Sequence, residues 1–257
     1  MINSRCLVLF AVMTALGPAA RAEDGEDYPS ETLAGAPDEG FESLPIDLRD
    51  AARSAPTPST ITDLVEAQRG SDERAKRQTV RALGTRGNVA AIPYVGGMLL
   101  RLDESRLTRI DAARALGRIG EARVGAFLSQ ALSDPDIEVR VAAVCALGEA
   151  APPGAETLLE VALRGDKSWW VRYSAATALG ATRHRFAVDA LARAAREDVK
   201  PQVRLHAAIA LGEIGGKRAA ALLRGAWTLE RDGQVRRSII ISLRRLAGQT
   251  LPSLAKN

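Results

Sequence analysis

The chain returns six times to one short segment. Ala82-Leu83-Gly84, Ala115-Leu116-Gly117, Ala146-Leu147-Gly148, Ala178-Leu179-Gly180 and Ala210-Leu211-Gly212 place their leucines 33, 31, 32 and 32 residues apart. A sixth leucine, Leu243, follows 32 residues later, with Arg244 in place of the glycine. Seven positions before each leucine stands a base: Lys76, Arg109, Arg140, Arg172, Arg204 and Arg236. Six positions before the base, five of the six copies carry an acid: Asp103, Asp134, Asp166, Asp198 and Glu230. An acid, a base and an Ala-Leu pair held in register over five periods mark a repeat architecture. One such unit is too small to bury its own apolar face, so the units must stack.

Each period reads as two helices. In Pro135–Leu147 the residues Ile137, Val139, Val141, Ala143, Val144 and Leu147 form a broad helical stripe. The acid is expected to cap the N-terminus, Pro135 to take the first helical position, and the glycine after Leu147 to end the helix in a left-handed conformation. A second helix is expected at Arg123–Leu132, Ala155–Leu163, Phe186–Ala195 and Arg218–Trp227, again with apolar residues three and four apart. The fold class is all-α: an α-solenoid of about six two-helix repeats.

Asp134-Pro-Asp-Ile-Glu-Val-Arg-Val-Ala-Ala-Val-Cys-Ala-Leu-Gly148 resembles the HEAT-like repeat of phycobilin lyases and many bacterial HEAT proteins, as does the segment Asp198–Gly212. The resemblance covers about residues 72–247 and speaks for fold far more than for function. It implies that the acids and bases form a structural ladder of Asp103, Arg109, Asp134, Arg140, Asp166, Arg172, Asp198, Arg204, Glu230 and Arg236. It also implies that the second helices line the concave face. A bilin-type lyase activity is a remote implication, opposed by the export signal described next.

The ends differ from the array. Residues 1–22 have the pattern of a secretory signal: Arg5, an eleven-residue apolar run from Cys6 to Leu16, and Ala20-Arg21-Ala22 as the small-x-small site. The run is too short to span a bilayer, which takes about 20 residues. The expected location is the periplasm or the cell exterior. Residues 23–59 form an acidic leader with five prolines, a composition that favours disorder. Residues 60–71 are expected to supply an N-terminal capping helix, 72–247 the array, and 248–257 a C-terminal tail. Past residue 22, Cys145 is the lone cysteine, so no internal disulfide forms.

Charge is divided along the chain. Residues 23–73 hold 14 acids and 3 bases, whereas 74–257 hold 17 acids and 30 bases. This allows an anionic polymer, a nucleic acid or an envelope polyanion, as an alternative partner. No zinc spacing, phosphate loop or nucleophile elbow is present, so no catalytic residue, metal or cofactor is assigned. His184 reads as a solvated turn residue, His206 as helix packing or surface, and Cys145 and Trp227 as packing. Trp170 falls where other repeats place Glu138 and Gln202, so Trp169-Trp170 reads either as two rings covering a seam between repeats or as an exposed partner anchor. With Arg185, Arg193, Arg196, Arg218 and Arg224 on the second helices, it makes the candidate contact set. The leading function is a non-enzymatic scaffold for another protein.

Overall fold

A computed structural model describes residues 72–250, together with the isolated residue Thr62. The expectations for the signal segment, the leader, the capping helix and the end of the tail lie outside the described residues. Within them the chain forms eleven α-helices and no strand. First helices of the repeats are α1 (Glu73–Thr85), α3 (Arg106–Ile119), α5 (Ile137–Ala150), α7 (Trp169–Thr182), α9 (Pro201–Ile214) and α11 (Gly233–Thr250). Second helices are α2 (Ile92–Leu100), α4 (Val124–Ala131), α6 (Ala155–Gly165), α8 (Val188–Glu197) and α10 (Gly216–Leu229). Each first helix packs on the first helix of the next repeat, and each second helix packs on the first helix that follows it. The sequence expectation of an all-α solenoid matches this architecture.

The recurring leucines form the core. Leu83, Leu116, Leu147, Leu179 and Leu211 are fully buried, as are Leu128, Leu159, Leu191 and Leu223 of the second helices. Each such side chain contributes roughly 1.5–3 kcal/mol by leaving water.

The glycine after each leucine does not end its helix. It lies inside, one turn short of the end, and the left-handed residue comes three positions later: Gly87, Gly120, Ala151, Arg183 and Gly215 all have positive φ. The glycine is there because the next helix is too close for a side chain. A Cβ on Gly84 would sit 2.6 Å from Ala115 Cα, and one on Gly148 2.8 Å from Ala178 Cβ. On Gly180 it would meet Ala210 Cβ at 2.7 Å, and on Gly212 Ser242 Cβ at 2.7 Å. Thus the glycine of one repeat receives the small residue before the next repeat's leucine, an alanine in the array and Ser242 at its end. No helix follows α11 among the described residues, and there the glycine is replaced by Arg244.

The helix starts also differ from expectation. Asp136, not Asp134, caps α5, accepting the amides of Glu138 and Val139, and Pro135 lies outside the helix. Asp72, Ser105 and Asp232 cap α1, α3 and α11 in the same way. This frees the repeat acid, two residues upstream, for another role. At the far end α11 runs to Thr250, three residues beyond the expected limit of the array.

If close approach explains the glycines, Gly148→Ala and Gly180→Ala lose about 1–3 kcal/mol by overpacking, although alanine is the better helix former. Gly225→Ala, inside α10 with nothing within 4 Å of the added Cβ, gains about 0.5–1 kcal/mol instead. Urea unfolding of the three variants gives both signs.

Candidate functional site

The linkers between repeats carry the ladder. Arg109 donates from Nε and Nη2 to the two carboxylate oxygens of Asp134, at 3.0 and 3.1 Å. Arg140 makes the same fork to Asp166 at 2.9 and 3.1 Å, and Arg172 to Asp198 at 2.8 and 3.0 Å. Arg204 does so to Glu230 at 2.8 and 2.9 Å. Each arginine therefore reaches the acid of the following repeat. Its Nη1 turns back to the backbone carbonyl of its own repeat's acid, Asp134, Asp166 or Asp198. Arg236 ends the series with its Nη1 on the Glu230 carbonyl at 2.9 Å. Each acid also accepts the amide two residues on, as Asp134 does from Asp136 at 2.8 Å.

Donating to Asp198 raises the pKa of Arg172 against the opposing effect of burial, and donating to Glu230 does the same for Arg204. At Glu230 burial disfavours the charged form, but Arg204 and the amides of Asp232 and Arg231 prevail, and its pKa is lowered. Rungs so bonded hold repeats in register.

Asp103 is not part of the ladder. It is exposed and paired to Arg101 at 2.6 Å. Glu104 takes its place, accepting from Lys76 Nζ at 2.9 Å and giving its carbonyl to Arg109 Nη1 at 2.8 Å. The preceding linker is displaced by one residue, and a glutamate's extra methylene lets it serve the longer reach.

The proposed contact residues fall in different places. Trp169 and Trp170 are each only 8% exposed. Their rings stack 4.1 Å apart, and Tyr173 meets both edge-on. They form an aromatic cluster in α7 rather than an exposed anchor. Tyr173 also lies against His206, centroid to centroid 4.1 Å. Thr177 donates its hydroxyl proton to the Tyr173 carbonyl, so His206 Nδ1 donates to the Thr177 oxygen, 3.2 Å away. Burial lowers the His206 pKa to about 4 and raises that of Tyr173 to about 12. His184 is half-buried rather than solvated, and its Nδ1 has no partner. Trp227 is 37% exposed, with Arg236 stacked 4.5 Å over its ring. Leu163 and Ala195 occupy its position in α6 and α8 and are buried, but α10 is the last second helix among the described residues.

On the second-helix row, Arg218 is bound to both oxygens of Asp189 on the neighbouring helix α8, and Arg196 is paired to Glu197. Arg185 and Arg224 are exposed, on the turn before α8 and on α10. Arg193 lies on a groove of about 340 Å³ between α6 and α8. Its lining includes Leu163, Ala190, Ala194 and Val199, with Glu160, Arg164, Arg193 and Glu197 as charged groups and the Arg172–Asp198 rung at one end. Of the arginines outside the ladder singled out in the sequence, only Arg193 lines it. Val199, 79% exposed, was not singled out. Its signal is a valine directly after the repeat acid, where other linkers carry Pro135, Lys167 and Arg231. Phe186, 83% exposed on the turn before α8, was likewise missed.

A family model for HEAT repeats matches residues 61–148, 125–200 and 155–244. The chain belongs to the HEAT-repeat family. A search of curated proteins returns no match. Among solved structures it is similar to human deoxyhypusine hydroxylase in complex with glycerol, at 24% identity and TM-score 0.39 over 80% of this chain and 92% of that one. It is similar to a designed armadillo repeat protein, at 17% identity and TM-score 0.44 over 73% and 100%. A third likeness is to the complex of CpcE and CpcF of phycocyanin lyase from Nostoc sp. PCC7120, at 16% identity and TM-score 0.41 over 79% and 98%. A HEAT array is typically a non-enzymatic scaffold for interactions. Among the described residues no group of three or more His, Cys, Asp and Glu could hold a metal ion, and no helix is long and apolar enough to cross a membrane.

Two measurements test the energetics of these contacts. Asp166→Ala leaves the Arg140 guanidinium buried without its carboxylate and costs about 3–5 kcal/mol, whereas Asp103→Ala stays within about 0.5 kcal/mol. Denaturant unfolding at neutral pH separates the two. The second concerns His206. Its folded pKa, about 4, lies below the ordinary value of 6.5. The unfolded chain therefore binds the proton more readily, so His206 favours folding above pH 6.5 and loses that contribution as the pH falls towards 4. The difference in stability between the wild type and His206→Gln is expected to shrink by about 2–3 kcal/mol across that window.

Proposed function

We propose that the chain is a non-enzymatic scaffold that binds another protein along its second-helix row, in the periplasm or outside the cell. The groove between α6 and α8 carries this reading. Apolar groups there, Leu163, Ala194 and the exposed Val199, lie beside charged groups of both signs. A patch of this kind suits a protein segment with an apolar anchor and flanking polar groups, the usual anatomy of an interface core and its rim. The ladder residues are occupied with one another and serve the stack.

The polyanion alternative draws on the 30 bases of residues 74–257. It has less support, because Arg109, Arg140, Arg172, Arg204, Arg196 and Arg218 are paired to carboxylates. The expected location rests on the signal pattern of residues 1–22.

The tagged chain, recovered from the exported fraction with Glu23 as its first residue, is expected to retain a protein partner. Val199→Asp combined with Arg193→Glu should weaken retention at least about tenfold, the loss of one well-packed anchor, with helicity unchanged. Equal retention by the double variant removes the groove from the site. Binding to an acidic polymer that collapses steeply with salt, with no protein retained, favours the alternative.

A further inference from the structure

The repeat accounts for the arginines of the ladder but not for a second group on the first-helix face of α1 and α3. Arg77 and Arg81 of α1 and Arg114 of α3 gather round Asp111. Asp111 Oδ2 lies 2.7 Å from Arg77 Nε and 3.0 Å from Arg81 Nε, and its Oδ1 lies 3.9 Å from Arg114 Nη1. Arg118, one turn further along α3, reaches back to Thr85 of α1 at 3.4 Å.

Packing does not ask for these charges. In the other repeats the position of Asp111 is held by Gln78, Ala142, Ser174, His206 and Ser238. The position shared by Arg81 and Arg114 continues as Cys145, Thr177, Ile209 and Ile241. Yet Asp111 is only 2% exposed, and a buried carboxylate is costly unless cations hold it. It binds Arg77 and Arg81 through Nε, and neither residue's Nη groups hydrogen-bond to another described residue. The Nη groups are a guanidinium's natural fork for an oxyanion. Arg81 keeps 53% of its side chain exposed, so the fork is within reach of solvent.

Two further carboxylates lie along this face, Glu138 beside Arg106 at 3.6 Å and Glu149 close to Arg118. At the α1 end the one carboxylate of Asp111 serves both Arg77 and Arg81, with Arg114 third at 3.9 Å. Burial, and after it the cations of Arg81 and Arg118, hold the Arg114 pKa below its ordinary value despite Asp111. A ligand with two negative charges would relieve that crowding.

We propose that Arg77, Arg81 and Arg114, ordered by Asp111, form a binding site for a phosphate group. This does not depend on the groove between α6 and α8. The test is calorimetric titration of the purified chain at constant ionic strength with inorganic phosphate and with pyrophosphate. Phosphatidylcholine vesicles with and without phosphatidic acid make a second arm. Saturable binding in solution assigns a free phosphate compound, and capture only by the phosphatidic acid vesicles assigns a lipid headgroup. In either case Arg77→Gln and Arg81→Gln should each weaken binding about tenfold, the share of one charge-assisted contact. Arg237→Gln, exposed on α11, should leave it unchanged. Absence of binding in both arms, or equal weakening by Arg237→Gln, overturns the proposal.

Discussion

The stack depends on how a buried guanidinium is satisfied. An arginine in the first turn of a helix, cut off from water, needs acceptors for its donors or it costs more than it contributes. Here each receives a carboxylate from the next repeat and a carbonyl from its own. The carboxylate in turn takes the fork and one backbone amide. Neither partner tolerates much displacement, since the fork fixes direction as well as distance. The rung consequently fixes the position of one repeat's linker against the next, and the helices leave that linker at a set angle.

A second constraint acts one turn from the end of the first helices. The glycine–alanine contact brings successive first helices together until no Cβ fits between them. On the second helices such a contact occurs between Gly96 of α2 and Phe127 of α4, where a Cβ would meet the ring at 2.4 Å, but not between α6 and α8, where a groove opens. The two rows therefore divide the work. One is held close by small residues and locked by ion pairs, and the other retains exposed apolar side chains such as Val199 and Val161. Arg244 fits this account. With no helix after α11 among the described residues, nothing there requires a glycine, and a long charged side chain faces no steric objection.

What was legible in the sequence was whatever repeats. Period, helix pairs, core leucines and the identity of the ladder residues follow from columns that recur five or six times. The errors arose where a column was read without its neighbours in space. Asp103 has the right spacing from Arg109, but the linker shifts by one residue and Glu104 is the buried partner. Trp170 shares a column with Glu138 and Gln202, yet Trp169 and Tyr173 surround it. The glycine of Ala-Leu-Gly has a residue type that suits a helix end, but its reason lies in the helix opposite, which spacing along one chain does not reveal. Trp227 has buried counterparts in α6 and α8, and only its place at the edge of the row explains its exposure.

The same reasoning indicates where function is written in such a chain. A position that keeps its residue in every repeat answers to the stack, because every repeat meets nearly the same neighbours. A position that changes while its helix keeps its place answers to something else. On the first helices that position runs Arg81, Arg114, Cys145, Thr177, Ile209, Ile241, passing from cationic to polar to apolar along the array. In the linkers it runs Pro135, Lys167, Val199, Arg231. Neither series disturbs the leucine core or the rungs beside it. A repeat fold supplies a uniform frame, so a chemical gradient laid across it makes each stretch of surface distinct. The arginine cluster on α1 and α3 and the groove between α6 and α8, the two surfaces proposed for recognition, are then carried on one and the same frame.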